Sequence, residues 1–184
     1  LAAFAASAYA VPIIGSISSG TGDGMYATAG WSSGDAELSW SVSESGGVWT
    51  YDYHWSTEHK DLSHIILGVS ETFTERNILS GTTAGWNLGW FGDEGNSNPD
   101  IPELIYGLKF GGNDTDEYFR IVTDRAPMWG NFYAKDGKDG GQDVYAYNAS
   151  FSSDPIAYTT GSSPYGYALV PDTVTTTVPE PGTL

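Results

Sequence analysis

Cysteine is absent from this sequence of 184 residues. The absence excludes a disulfide framework, a thiol catalyst and a thiolate-ligated metal site. Basic side chains are scarce, since 7 Lys and Arg residues stand against 23 Asp and Glu residues, and the formal net charge is −16. So few cations cannot neutralise a row of phosphates. This excludes a general nucleic-acid-binding protein and argues against docking on an anionic membrane surface.

Apolar and aromatic side chains are plentiful enough to build a core. Hydrophobic residues make up 40% and aromatic residues 14% of the chain, a composition that disordered chains do not have. The 24 Gly and 9 Pro residues remain below the share that marks low-complexity sequence. We therefore expect one folded domain, which we place at residues 11–170.

Strict alternation of apolar and polar residues predicts an antiparallel hairpin, with strands at Ala36–Ser43 and 48–55 and a turn at Glu44–Gly47. No long stretch repeats every 3.6 residues, so helix is expected to be minor, with one or two turns at Glu71–Leu79. The predicted fold class is all-β, an antiparallel β-sandwich of jelly-roll-like type. Further short strands are expected at 65–69, 105–110, 118–123, 132–134 and 144–151.

The first ten residues, LAAFAASAYA, are small and apolar and end in Ala-Tyr-Ala. A small-x-small tripeptide after an apolar run is what a signal peptidase cleaves. We interpret residues 1–10 as the remainder of a signal peptide, which predicts a secreted or cell-surface protein.

The carboxyl-terminal part combines a Thr-rich stretch, residues 171–177, with the motif Val178-Pro179-Glu180-Pro181. The stretch has no apolar periodicity and is expected to be a linker. Residues 178–184 resemble the start of the sorting signal of PEP-CTERM proteins, exported proteins of Gram-negative bacteria. The resemblance implies processing by an exosortase-like enzyme. It also implies contact with the membrane only through a hydrophobic helix that would follow residue 184.

Three phrases of the second half, at 97–110, 129–137 and 145–151, resemble a body domain found in secreted PEP-CTERM proteins. That resemblance spans about residues 60–151 and carries no catalytic residues. It implies a surface or matrix protein.

Acidic residues cluster in expected loops and offer oxygen ligands of the kind that Ca²⁺ accepts. None of the clusters has the spacing of an EF-hand loop. Asp114 and Asp116 are the best candidate calcium ligands, because alternate residues of an extended loop can converge on one ion. Solvated loop acids are the commoner explanation of such clusters.

An aromatic stripe is expected along one face of the second hairpin strand, at Trp49, Tyr51, Tyr53 and Trp55. Such a stripe is usually the inner layer of a sandwich. The alternative is a platform on which the apolar faces of sugar rings stack. Exposure of the side chains distinguishes the two.

Hydrolysis of carbohydrate is a third hypothesis, because a glycosidase needs two carboxyls across a cleft. The candidate residues are Glu37, Glu44, Glu58, Glu71, Glu75 and Glu103. The histidines at 54, 59 and 64 recur every five residues, which places them on neither one helix face nor one strand face.

These observations predict an exported, non-enzymatic protein of the cell surface or the exopolysaccharide matrix. Its expected partners are an exosortase-like processing enzyme and extracellular polysaccharide, and no cofactor is expected other than Ca²⁺. The alternative functions are a carbohydrate-binding module and, less favoured, a jelly-roll hydrolase.

Overall fold

The structure, a computed structural model, describes residues 11–32, 34–95, 97–152 and 154–171. The predicted signal-peptide remnant and the sorting motif lie outside the described residues. Within the described residues, two short 3₁₀ helices span Ala29–Trp31 and Glu75–Asn77. The strands are β1 (Ile13–Ser18), β2 (Met25–Ala27), β3 (Ala36–Ser45), β4 (Val48–Thr57), β5 (His64–Gly68), β6 (Asn87–Phe91), β7 (Ile105–Gly111), β8 (Asp116–Thr123), β9 (Pro127–Gly130), β10 (Phe132–Asp139), β11 (Gln142–Asn148), β12 (Ile156–Ala157) and β13 (Ala168–Pro171).

The strands assemble into three antiparallel sheets. The first has four strands in the order β1-β3-β4-β8, and the second has six in the order β2-β11-β10-β5-β7-β6. The third is small, with the order β12-β9-β13. The prediction of an all-β, antiparallel sandwich with minor helix is confirmed.

The β3–β4 hairpin follows directly from its local sequence. The two strands pair in register along their whole length, and Gly46 and Gly47 form the turn. Both glycines have positive φ angles, 62° and 83°, which a two-residue hairpin turn of type I′ requires. Glu44 supports the turn because its Oε1 atom accepts the Gly47 N–H at 2.6 Å. The predicted hairpin is therefore confirmed.

One main hydrophobic core unites side chains from all three sheets. The rings of Phe110 on β7 and Phe119 on β8, whose centroids are 5.4 Å apart, connect the six-stranded and four-stranded sheets. Trp40 on β3 contacts Trp129 on β9 at 6.1 Å, which ties the third sheet to the same core. Burial of this apolar and aromatic surface is the main stabilising contribution to the fold.

A second hydrophobic cluster covers the opposite face of the six-stranded sheet. Because side chains alternate along a strand, Ile66, Tyr133 and Tyr145 point away from the main core. The segment 98–100 lies across this face and contacts three adjacent strands. The contacts join Asn98 Oδ1 to His64 Nε2 at 3.0 Å, the Tyr133 hydroxyl to the Pro99 carbonyl at 2.8 Å, and the Tyr145 hydroxyl to Asp100 Oδ2 at 3.0 Å.

Some element boundaries differ from the prediction. Glu71–Leu79 forms a single 3₁₀ turn, Glu75–Asn77, because Thr74 is extended and its N–H is bound by the Asn77 side chain at 2.9 Å. Strand β11 ends at Asn148 instead of residue 151, since a turn follows in which the Asn148 carbonyl accepts the Phe151 N–H at 3.0 Å.

The domain extends one residue beyond the predicted boundary. Pro171, which the sequence assigned to the linker, is the buried last residue of β13 and lies opposite Pro127 of β9. Residues 172–177 of the predicted linker lie outside the described residues.

Candidate ligand-binding clefts

The aromatic stripe of β4 is not a surface on which a sugar can stack. Tyr51, Tyr53 and Trp55 are fully buried in the main core, and Trp49 is half-buried. The Tyr53 hydroxyl donates to the Leu169 carbonyl at 2.8 Å, and burial raises the pKa of this phenol well above its usual value. The carbohydrate-stacking prediction for this stripe is wrong, because β4 is an interior strand whose inner face the core covers.

The predicted calcium ligands, Asp114 and Asp116, are engaged by neighbouring groups. Asp114 Oδ1 accepts the Thr115 N–H at 2.7 Å, a contact typical of short polar turns. The Asp116 carboxylate pairs with the imidazole of His54 on the adjacent strand. Among the described residues, neither carboxylate belongs to a group of three metal-ligating side chains. Calcium binding at this pair therefore stays a prediction.

A different group of side chains could hold a divalent ion. The ligand atoms of Asp35, Glu58 and His59 lie within 4.8 Å of one another, and His59 Nδ1 is 3.4 Å from Asp35 Oδ2. The β3–β4 pairing brings them together, because Asp35 precedes β3 and the other two follow β4. The group is not evident in the sequence, because its members become neighbours only after the hairpin pairs. All three residues are at least partly exposed, and such surface groups are common without a metal.

The large aromatic side chains that reach solvent lie elsewhere. In the described part of the chain they are Tyr26, Trp90, Tyr118 and Tyr165. Tyr118 stacks face to face on the His54 ring, with centroids 4.3 Å apart and planes at 5°. Single exposed aromatics are ordinary on a protein surface, so the clefts around them decide which of them is informative.

Trp90 stands in a cleft of about 250 Å³, which we call the Trp90 cleft. Leu88 and Trp90 share the core-facing side of β6, but β6 is an edge strand and the Trp90 side chain is 52% exposed. Trp90 pairs across the sheet with Tyr106 of β7, and their ring centroids are 5.3 Å apart. Other lining residues include Gly68–Glu71, Glu103, Asn131 and Asp154.

The charged side chains that line the Trp90 cleft are all acidic. Glu71 follows β5, Glu103 precedes β7 and Asp154 follows β11, so three separate loops each supply one exposed carboxylate. Among the described residues, no Lys or Arg lines the cleft. Among the described residues, these carboxylates make neither an ion pair nor a side-chain hydrogen bond. The cleft thus presents an aromatic surface beside negative charge that the protein does not compensate.

Tyr26 borders a second opening, a groove of about 440 Å³ that we call the Tyr26 groove. Tyr26 is 47% exposed and stacks on Tyr147 with centroids 4.9 Å apart. Asp100 and Asp143 also line the groove, but Asp100 accepts the hydroxyl of Tyr145 and Asp143 pairs with a lysine at 3.6 Å. Its carboxylates therefore already have partners within the protein.

Burial changes the electrostatics of the outer face beside the Tyr26 groove. Desolvation, together with the hydrogen bond to Asp100, raises the pKa of Tyr145. The hydroxyl therefore stays protonated and acts as the hydrogen-bond donor to the Asp100 carboxylate. Desolvation and the charge of Lys109 lower the pKa of His64 to about 4, and the hydrogen bond to Asn98 only partly opposes this. Near neutral pH His64 is an uncharged residue that binds segment 98–100.

Of the six glutamates considered for hydrolysis, the structure brings Glu71 and Glu103 to one cleft. Both are exposed, whereas a carboxyl that acts as general acid near neutral pH is usually held in an apolar pocket. The three histidines diverge: His54 lies on the outer face of the four-stranded sheet, His59 lies in the loop after β4, and His64 is buried under segment 98–100.

Comparisons of the chain with protein-family models, with curated proteins and with solved structures find no significant match. Within the residues that the structure describes, no helix is long and apolar enough to cross a membrane.

Proposed function

We propose that this chain is an exported, non-enzymatic protein of the surface or exopolysaccharide matrix of a Gram-negative bacterium. The observation that carries the proposal is the motif Val178-Pro179-Glu180-Pro181 after a Thr-rich stretch. Two prolines around one glutamate favour an extended backbone without internal hydrogen bonds, a form that fits the groove of a processing enzyme. An exosortase-like enzyme is the proposed reader of this segment.

The body of the chain supports a role as cargo. Its aromatic residues largely stabilise a core that connects all three sheets, and its net charge of −16 suits a hydrated matrix. Exposure of Glu71 and Glu103 favours binding over hydrolysis, because neither carboxyl is held in an apolar pocket.

Carbohydrate binding is the second candidate, and it is compatible with the first. The β4 stripe no longer supports it. The Trp90 cleft does, because it combines a half-exposed indole with unpaired carboxylates in a concave site.

The sorting proposal is tested in the bacterium that produces the protein, by deleting Pro179–Pro181 and measuring the fraction retained at the cell surface. We expect retention to fall several-fold, with the protein recovered in another fraction. Replacing Thr175–Thr177 by alanines is the matched control, because it alters three linker residues and leaves the motif intact. Unchanged retention of the deletion variant would remove the sorting role.

A further inference from the structure

We propose that the Trp90 cleft binds a cationic amino sugar, one ring at a time, within a polysaccharide that carries free amino groups. The proposal deepens the carbohydrate-binding part of the proposed function and rests on it. It is independent of the sorting motif, since the site is built from the folded domain alone.

The aromatic half of the site rests on an anchored tyrosine. Trp90 contacts Tyr106 with ring centroids 5.3 Å apart and planes at 54°, and the Tyr106 hydroxyl donates to the Phe73 carbonyl at 3.2 Å. That hydrogen bond fixes the far end of the Tyr106 ring, against which the indole lies. The indole offers a flat apolar face to the C–H groups of a sugar ring, and its π-face also attracts an ammonium group.

The acidic half of the site determines the charge of the ligand. Glu71, Glu103 and Asp154 line the cleft, and no lysine or arginine is among the lining residues that the structure describes. Arg125 donates through its Nη2 atom to the Thr72 carbonyl at 3.2 Å and is not part of the described lining. An anionic ligand would be repelled here, and a neutral one would leave the negative charge uncompensated. A protonated amine matches it.

The size of the cleft limits the ligand to a single ring. Its volume of about 250 Å³ lies just below the range of pockets that enclose drug-sized molecules. A pyranose with one ammonium substituent presents an apolar face and a positive charge within a few ångströms of each other. A lysine side chain carries the charge on a flexible stem without a flat face, so the pairing of indole and carboxylates favours the sugar.

Binding is measured by titration calorimetry on the full 184-residue chain at about pH 6, where a sugar amine is protonated, as an α-amino group is below its pKa of about 7.7. The probes are a glucosamine tetrasaccharide, its N-acetylated counterpart, a glucose tetrasaccharide and a tetralysine peptide. We expect the glucosamine probe to bind at least about tenfold more tightly than the other three, and its affinity to fall as salt is added.

Two variants locate the site. Trp90→Ala and the double variant Glu71→Gln with Glu103→Gln should each weaken glucosamine binding by about tenfold or more, and Trp90→Phe should retain much of it. The controls are Tyr118→Ala, an exposed aromatic outside the cleft, and Glu37→Gln with Glu94→Gln, which removes the same charge elsewhere. Circular dichroism and thermal unfolding confirm that each variant is folded.

Four results would overturn the proposal. Equal binding of the acetylated probe would remove the role of the ammonium, and equal binding of tetralysine would assign the cleft to basic peptides. Binding that survives both Trp90→Ala and the double glutamine variant would place the site elsewhere. Release of new reducing ends from the tetrasaccharide would make the cleft catalytic instead. None of these binding results affects the cell-surface retention experiment, so the two proposals are judged separately.

Discussion

Strands β4 and β6 both direct a tryptophan side chain toward the main core, yet the one on β4 is buried and the one on β6 is half-exposed. On β4, Trp55 is fully buried and contacts Trp31 at a centroid distance of 4.9 Å. On β6, Leu88 packs against the core but Trp90, two residues further on, is half-exposed. The difference lies in sheet position, because β4 is an interior strand and β6 is the edge of the six-stranded sheet.

This contrast shows where binding surfaces arise in such a sandwich. An interior strand has its inner face covered by the opposite sheet, however suitable its side chains are for a ligand. At the edge of a sheet, the core-facing side of the strand extends past the covering sheet. An aromatic residue there remains accessible to solvent and to a ligand. Alternation alone therefore identifies which side chains share a face, and strand order decides whether that face is accessible.

The largest expected effect tests the contrast directly. Trp55→Ala should lower the free energy of unfolding by about 3–5 kcal/mol, because it leaves a cavity in the main core. Trp90→Ala should lower it by less than about 1 kcal/mol, as substitutions of exposed side chains do. Urea denaturation followed by circular dichroism measures both. Comparable losses would mean that β6 belongs to the core as fully as β4 does.

The histidines extend the contrast to titration. His64 is buried with a pKa of about 4, so it is neutral in the folded protein while an unfolded chain takes up a proton below about pH 6.5. The contribution of His64 to the free energy of unfolding is fully present above pH 6.5. It falls by about 3 kcal/mol as the pH drops toward 4.

Urea unfolding of the parent and of His64→Gln across this pH range isolates the contribution of His64 to the free energy of unfolding. The carboxylates titrate in both proteins, so their effect cancels in the difference between the two curves. The variant should be less stable near neutral pH but show a shallower loss toward acid. His59→Gln, which replaces an exposed imidazole, is the control and should follow the parent curve. Parallel curves for parent and His64→Gln would contradict the assignment of His64 as a buried neutral residue.

The smallest effect concerns glycines that lie in register across β5, β7 and β6, at Gly68, Gly107 and Gly89. A Cβ on Gly107 would lie 2.6 Å from the Leu67 carbonyl oxygen, whereas a Cβ on Gly89, at the edge, would meet nothing within 4 Å. Gly107→Ala should therefore cost about 1–3 kcal/mol and Gly89→Ala no more than about 0.5 kcal/mol. Thermal unfolding of the two variants compares them, and equal melting temperatures would contradict the close approach.

Much of the fold was predictable from local pattern. The hairpin of β3 and β4 has eight residues of alternation on each side of its turn, and β5 is a short apolar run that only an interior strand accommodates. Strands β1, β2, β6, β9, β12 and β13 were not predicted. β2 and β12 have only three and two residues, and glycine or proline interrupts the pattern of the other four.

The candidate site was less predictable. Glu71, Trp90, Glu103 and Asp154 are spread over more than eighty positions of the sequence, and nothing in their local context links them. They meet because β5, β7 and β6 are neighbours in one sheet and β11 ends beside them.

By itself, the sequence determined the charge, the all-β class, the main hairpin and the set of aromatic side chains that share a face, because each of these depends on composition or on residues close along the chain. Only the tertiary structure decided that the β4 stripe is buried, that Asp35, Glu58 and His59 converge, and that Trp90 stands over uncompensated carboxylates. Each of these outcomes depends on which strands become neighbours. The order of the strands in the sheets results from burying the whole core at once. The free energy of that burial depends on the entire chain and cannot be read from any short segment.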